Sequence, residues 1–176
     1  YSLWFGKELK NTNLILVEPN KVNIQAGQKN FKENEQEAFF INDFVSKDGF
    51  RVDTFFSENE SSEFELTLLH SDIQGFEEEM LLNSEKALSE KKIKYLMIST
   101  HSDSIHESCL STIKSHDYVI SVHSEPKHHS TSSDGFIFAH RDDCDGIINW
   151  IEVFGRRDIA EKTPSDKILY LSKLNK

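Results

Sequence analysis

Phe64 to Leu69 (FELTLL) is an apolar, β-prone run that stops abruptly at His70, Ser71 and Asp72. Gln74-Gly75 makes a turn, and apolar residues then recur at Phe76, Met80, Leu81 and Leu88 in a helical period. The same plan returns at Lys94 to Ser99, which runs into Thr100, His101 and Ser102 and then a second helical pattern. Strand, polar tip, turn, helix is the repeating unit of a parallel sheet, because parallel neighbours need a crossover and a helix supplies it. The carboxyl ends of such strands are where open α/β sheets bind ligands, so these two tips place polar chemistry in one region.

The rest of the chain extends the alternation. Leu3, Trp4, Phe5 and Leu9 share one helix face that ends near Lys10, and Asn11 to Asn13 is a polar link. Leu14 to Val17 is a continuous apolar run of strand length that ends in Glu18-Pro19-Asn20, where the proline stops it. The four-residue spacing of Val22, Ala26 and Asn30 predicts a helix over 21–33. Glu37 to Ile41 reads as the next strand, with Asn42-Asp43 at its tip. Residues 44–63 are less regular: a turn at Lys47-Asp48-Gly49, a β-like run from Phe50 to Phe56, and a polar loop from Ser57 to Glu63. After the strand Ile93 to Ser99 comes a helix with Ile105, Cys109, Leu110 and Ile113 on its apolar face, capped by Ser102, Asp103 or Ser104. Tyr118 to Val122 and Gly135 to Ala139 are strands joined by the polar loop Ser124 to Asp134, a long-looped hairpin that puts one antiparallel strand near an edge. In Arg141 to Lys176, the stretches Ile147 to Phe154 and Ile168 to Leu174 are apolar enough to pack, but no periodicity types them.

The expected architecture is therefore a Rossmann-like three-layer α/β sandwich with a mostly parallel sheet, forming a single domain over 1–176 with 141–176 as a C-terminal extension. The chain starts at Tyr1, without Met, inside the aromatic run YSLWF. The expectation is a domain entered after its first strand. The length and a 37% hydrophobic content that includes 13 Phe suit one domain with a substantial core. A formal net charge of −10 argues against a phosphate backbone or an anionic membrane as partner. Cys109 and Cys144 have no metal-type spacing and support no disulfide framework, so a reducing, cytoplasmic compartment is the default, and no segment has transmembrane length.

Several residues carry possible chemistry, each with a plain structural alternative. Glu18 ends a buried strand, where a fixed carboxylate can hold both hydroxyls of a ribose; an exposed strand-end acid is the alternative. Asn42 and Asp43 occupy the equivalent tip of the next strand and can reach a base, or simply form a turn. Asp72, between an apolar strand and a glycine turn, suits a general base, a ligand anchor or a metal ligand, or a turn acid. Glu77 lies in the first helical turn, where the dipole favours an acid with or without a ligand. His101 ends the adjacent strand near Asp72, and an imidazole there can take a proton from a hydroxyl. His106 lies one helical turn on. His123, His128, His129 and His140 cluster late, but their spacing assigns no metal.

LLHSDIQGFEEEML resembles the signature of FkbM-type methyltransferases, in which a strand ends in K/H-x-D-[VI]-[EQ]-G-x-E before a helix. Here that pattern falls on His70, Asp72, Ile73, Gln74, Gly75 and Glu77. LILVEPN resembles the family's second-strand E-P-N element, KIKYLMISTHS the strand after the signature, and SDGFIFAHR a late D-G-strand element. The resemblance spans residues 1 to about 140 and is most specific at 66–77. It implies an S-adenosylmethionine-dependent methyltransferase acting on a hydroxyl of a sugar or other small-molecule acceptor. By the same resemblance Glu18 would hold the ribose, Asn42 and Asp43 would lie by the adenine, and His70 and Ser71 would contact the cofactor. Asp72 and His101 would be catalytic, and Gln74, Glu77 and His106 would face the acceptor. One departure stands out: the glycine-rich turn that receives the methionine end of the cofactor is absent, and no G-x-G occurs in the 176 residues.

Three readings follow: an O-methyltransferase, a non-catalytic α/β nucleotide-binding domain of a larger protein, and a nicotinamide oxidoreductase whose ribose Glu18 would equally suit. The strand-tip signature favours the first. Acceptor identity would be set by loops such as Ser57 to Glu63 and Ser124 to Asp134, which carry no readable code.

Overall fold

Parallel strand pairing is present and is divided between two sheets. In the computed structural model, residues 1–9, 12–59, 64–126, 133–146 and 160–174 are described. Helix α1 (Ser2–Glu8) leads to β1 (Ile15–Val17), α2 (Lys21–Glu33) and β2 (Phe39–Ile41), and β1 and β2 pair in parallel as a two-stranded sheet. After α3 (Val52–Glu58) come β3 (Leu66–Ser71), α4 (Glu77–Leu82), α5 (Glu85–Ser89), β4 (Ile93–Thr100), α6 (Asp103–Ser115), β5 (Val119–Ser124) and β6 (Gly135–His140). These strands form a four-stranded sheet in the order β3-β4-β6-β5, with β3 and β4 parallel and β6 antiparallel to both its neighbours. The expected α/β architecture, mostly parallel with one antiparallel strand beside an edge, is thus observed. A final helix, α7, covers Pro164–Leu174. The run Ile147 to Phe154 lies outside the described residues.

The core sits where α4, α5 and α6 cover β4 and β6. Strand β4 buries Ile93, Leu96, Ile98 and Thr100, and β6 supplies Ile137 and Ala139. Helix α6 turns His106, Cys109 and Ile113 inward, a spacing of three and four residues that lines one helix face. Burial pushes the Cys109 thiol up to about 12, so it packs as a small apolar group. At the end of α6 the Tyr118 hydroxyl donates to the Ile93 carbonyl at 2.6 Å, tying the start of β5 to the start of β4. On the edge of the same sheet, Arg141 bonds Glu65 at 2.6 Å, Asp143 at 2.8 Å and the Lys91 carbonyl at 2.7 Å, holding the end of β6 to the approach to β3.

Two local expectations need correction, the run from Phe50 and the helix over 76–88. Phe50 to Phe56 is not a β-like run: Val52–Glu58 is helix α3. Its aromatics have strand propensity, but Val52, Phe55 and Phe56 share a helical face. Phe55 and Phe56 pack against Phe64 with ring centroids 6.0 and 5.3 Å apart, so tertiary packing overrides propensity. Strand β3 runs through Ser71, which pairs with Ile98 of β4, so His70 and Ser71 form its polar tip. The helix expected across 76–88 is broken into α4 and α5 at Asn83-Ser84, where the Asn83 carbonyl accepts from Asp53 N at 3.1 Å. Helix α2 stands where expected, capped by Asn20 Oδ1 on Val22 N at 2.8 Å. Its buried residues are Ile24 and Phe31, and Val22 is exposed. Phe31 meets Phe40 of β2 edge-on at 5.6 Å, and that contact sets the face.

The break before α5 is stabilised from a distance. Asp53 on α3 accepts from Lys86 N at 3.0 Å and Ala87 N at 2.8 Å, an N-cap supplied by another helix. Asp53→Ala should therefore lower stability by about 1 kcal/mol, read as a lower urea midpoint at unchanged slope. A midpoint equal to that of the parent chain would show that the cap contributes nothing.

Candidate active site

The carboxyl ends of β3 and β4 converge on one imidazole. His101, directly after β4, has its Nδ1 2.8 Å from Glu77 Oε1 and its Nε2 3.2 Å from Asp72 Oδ1. Gln74 Nε2 lies 2.8 Å from His101 Nε2 and donates to Asp72 Oδ1 at 3.3 Å. Asp134, the residue before β6, places Oδ1 3.8 Å from His101 Nε2. The parallel β3–β4 pairing, which ends with Ser71 beside Ile98, brings the two strand tips to the same end of the sheet, and the antiparallel pairing of Thr100 with Gly135 brings Asp134 there too. The His101 side chain is 13% exposed, that of Asp72 is 40% exposed, and that of Glu77 is fully buried.

The turn between β3 and α4 is shaped around Glu77. Gln74 and Gly75 take positive φ values of 55° and 106°, the left-handed region that glycine enters without strain. The backbone N–H groups of Ile73 and Gly75 then donate to the Glu77 carboxylate at 3.1 and 3.2 Å. Behind His101, Ser102 caps α6, its Oγ accepting from Ile105 N at 3.2 Å. Glu77, placed at the acceptor by the resemblance, is buried with both oxygens engaged. His106, given the same place by the resemblance, is buried beneath the tip: its Nδ1 lies 2.8 Å from Thr100 Oγ1 and its Nε2 3.3 Å from His123 Nδ1.

The β1 and β2 tips form a second polar group. Glu18 Oε1 accepts from Asn20 N at 2.9 Å and Asn23 Nδ2 at 3.1 Å. Asn42 Nδ2 donates to the Glu18 and Pro19 carbonyls at 2.9 and 2.8 Å, so this amide ties the two strand tips together. Asp43 Oδ1 accepts from Phe44 N at 2.8 Å, closing a tight turn. The loop that follows is tied to the β3 side: Lys47 N donates to Glu79 Oε1 at 2.7 Å, and the exposed rings of Phe44 and Phe76 meet edge-on at 4.6 Å. Gly49 fits only because it lacks a Cβ, which would stand 2.3 Å from the Phe44 carbonyl oxygen.

His70 and Ser71 complete the region. Burial holds the His70 imidazole below its ordinary pKa, and its ring lies 5.1 Å from that of Tyr1. His70 Nε2 and Ser71 Oγ are buried without a hydrogen-bond partner among the described residues, unusual for polar atoms in a folded interior. The histidines weighed for a metal do not converge: His123 meets His106, His140 Nδ1 donates to the Arg141 carbonyl at 2.6 Å, and His128 and His129 lie outside the described residues. Among the described residues no group of three or more His, Cys, Asp or Glu side chains is placed to hold a metal ion. No helix there is long and apolar enough to cross a membrane. Asp134 escaped the sequence reading as a site residue; the D-G start of β6 was its signal, and only the strand register shows where it points.

The fold is shared with methyltransferases of known structure. The chain superposes on a methyltransferase FkbM from Methylobacillus flagellatus KT with a TM-score of 0.55, at 20% identity over 73% of this chain and 36% of that one. It superposes on a precorrin-6y C5,15-methyltransferase from Geobacter metallireducens GS-15 with a TM-score of 0.53, at 11% identity over 80% and 73% of the two chains. The chain thus spans 36% of the length of the first of these enzymes. No protein-family model and no curated protein matches it.

The buried histidines give the fold a pH dependence. Burial lowers the pKa of His70, and burial together with His123 lowers that of His106. With the folded value below the unfolded one, their neutral forms leave stability intact above the ordinary imidazole pKa. Stability is then lost as pH falls from there toward the folded value, because the unfolded chain takes up protons first. His106→Gln should flatten the fall in stability below about pH 6.5, a slope of up to about 1.4 kcal/mol per pH unit for each such proton. An unchanged slope would remove His106 from the balance.

Proposed function

We propose that this chain is part of an S-adenosylmethionine-dependent methyltransferase that methylates a hydroxyl oxygen of a sugar or other small molecule. The observation that carries the reading is the meeting of Asp72, Gln74 and His101 at adjacent parallel strand tips, on a fold shared with methyltransferases and inside the stretch most similar to the FkbM-type signature. The chain's own residues fit the adenosine side of such a cofactor. Both bonds to the Glu18 carboxylate reach Oε1, which leaves Oε2 for a ribose diol. The orphaned His70 Nε2 and Ser71 Oγ are the kind of buried polar atoms that a ligand would satisfy. For the methionine end the 176 residues offer no glycine-rich turn.

When bound, the cofactor supplies a methyl group already activated by its sulfonium. What is left to the protein is to align the acceptor and receive its proton. Asp72, exposed beside His101 Nε2, meets the acceptor hydroxyl, and Asp72 or His101 takes its proton. Gln74 orients the pair. Asn42 holds the β1 and β2 tips in register, so Glu18 and Asp43 are fixed relative to one another.

Asp72→Asn should lower methyl transfer by about 100-fold or more across a panel of hydroxylated acceptors, while S-adenosylhomocysteine affinity changes by less than about threefold. Unchanged turnover would remove Asp72 from the mechanism. Glu18→Ala should instead weaken S-adenosylhomocysteine binding by about tenfold in calorimetry, the loss expected for a charged hydrogen bond. Unaltered affinity would place the ribose elsewhere.

A further inference from the structure

We infer that Glu77 is a positioning residue: it fixes His101 as the Nδ1–H tautomer, so that Nε2 is presented as a bare lone pair where Asp72, Gln74 and Asp134 meet. A carboxylate has only acceptors to offer. Its Oε1 already accepts from Ile73 N at 3.1 Å and Gly75 N at 3.2 Å, and Oε2 accepts from Gly75 N at 3.2 Å. The His101 Nδ1 that stands 2.8 Å from Oε1 must therefore bear the hydrogen. Glu77 is fully buried, so solvent does not compete for that bond, and loss of the donor would leave a buried carboxylate less satisfied.

On the other side of the ring Nε2 lies 3.2 Å from Asp72 Oδ1, and Gln74 sets its amide nitrogen 2.8 Å from Nε2 and 3.3 Å from the same Oδ1, so in the neutral ring one NH2 group donates to both acceptors. Gln74 and Asp72 are both exposed, so this side of the ring is open to a substrate. The buried carboxylate behind the ring then does for His101 what an orienting acid does in a Ser-His-Asp site: it selects the tautomer and stabilises the imidazolium formed when Nε2 receives a proton. The catalytic consequence rests on the methyltransferase reading, whereas the tautomer is a property of the protein without substrate.

The test separates the two. Long-range 1H–15N spectra of the ligand-free chain at about pH 8, with the ring assigned by its loss in His101→Gln, report which imidazole nitrogen is protonated. The expected result is a protonated Nδ1 and an unprotonated Nε2 in His101; the reverse pattern, or two protonated nitrogens, overturns the inference whether or not any variant folds. Glu77→Met should let the ring return to Nε2–H with the other histidine signals in place. It should also lower kcat by about tenfold or more at near-constant KM. Nδ1–H retained in Glu77→Met overturns the positioning role. An absence of methyl transfer in the parent chain counts against the proposed function and leaves the tautomer assignment standing.

Discussion

A single buried carboxylate joins the two halves of the candidate site. Glu77 sits at the start of α4, gathers the backbone N–H groups of the β3–α4 turn, and reaches across to the imidazole that ends β4. Without those donors a carboxylate in this position would carry a large desolvation cost, and the positive φ values at Gln74 and Gly75 are what aim the turn at it. The turn residues are therefore set by the acid they serve. The same turn leaves Asp72 and Gln74 at the surface and His101 nearly enclosed, so neighbouring residues divide the work of exposure and burial.

Around that joint the rest of the fold acts as support. Tyr118, Arg141 and the α6 cap fix the bases and tips of the core strands, and the Asp53 cap holds the break that separates α4 from α5. The loop after β2 is pinned to α4 by Lys47 and by the Phe44–Phe76 pair, which links the group containing Glu18, Asn42 and Asp43 to the group around His101. A site assembled from strand tips inherits its precision from the sheet, since moving one tip requires breaking a ladder of hydrogen bonds.

Much of this was legible in the sequence because it rests on period and order. The alternation of apolar runs and helical patterns marked the strands, and consecutive tips in a parallel sheet lie side by side, so Asp72 and His101 could be paired without coordinates. The rest depended on information that a linear pattern does not carry. Glu77 reads like any acid in a first helical turn, and its burial follows only from the path of the turn. Asp134 joins the site through an antiparallel register. Phe50 to Phe56 has the composition of a strand, and packing against Phe64 makes it a helix. The inward face of α2 is decided by the edge-on contact of Phe31 with Phe40, not by the spacing of Val22 and Ala26.

The central claim is that the carboxyl ends of β1, β2 and β3 receive S-adenosylmethionine. Titrating S-adenosylhomocysteine into the 15N-labelled chain tests it most directly, because each backbone amide reports its own surroundings. The account predicts shifts concentrated at Glu18, Asn42, Asp43 and the segment Ser71 to Gly75. Shifts confined to the concave surface lined by Gln28, Phe31 and Phe40 at the far end of α2, or none at millimolar ligand, would contradict it.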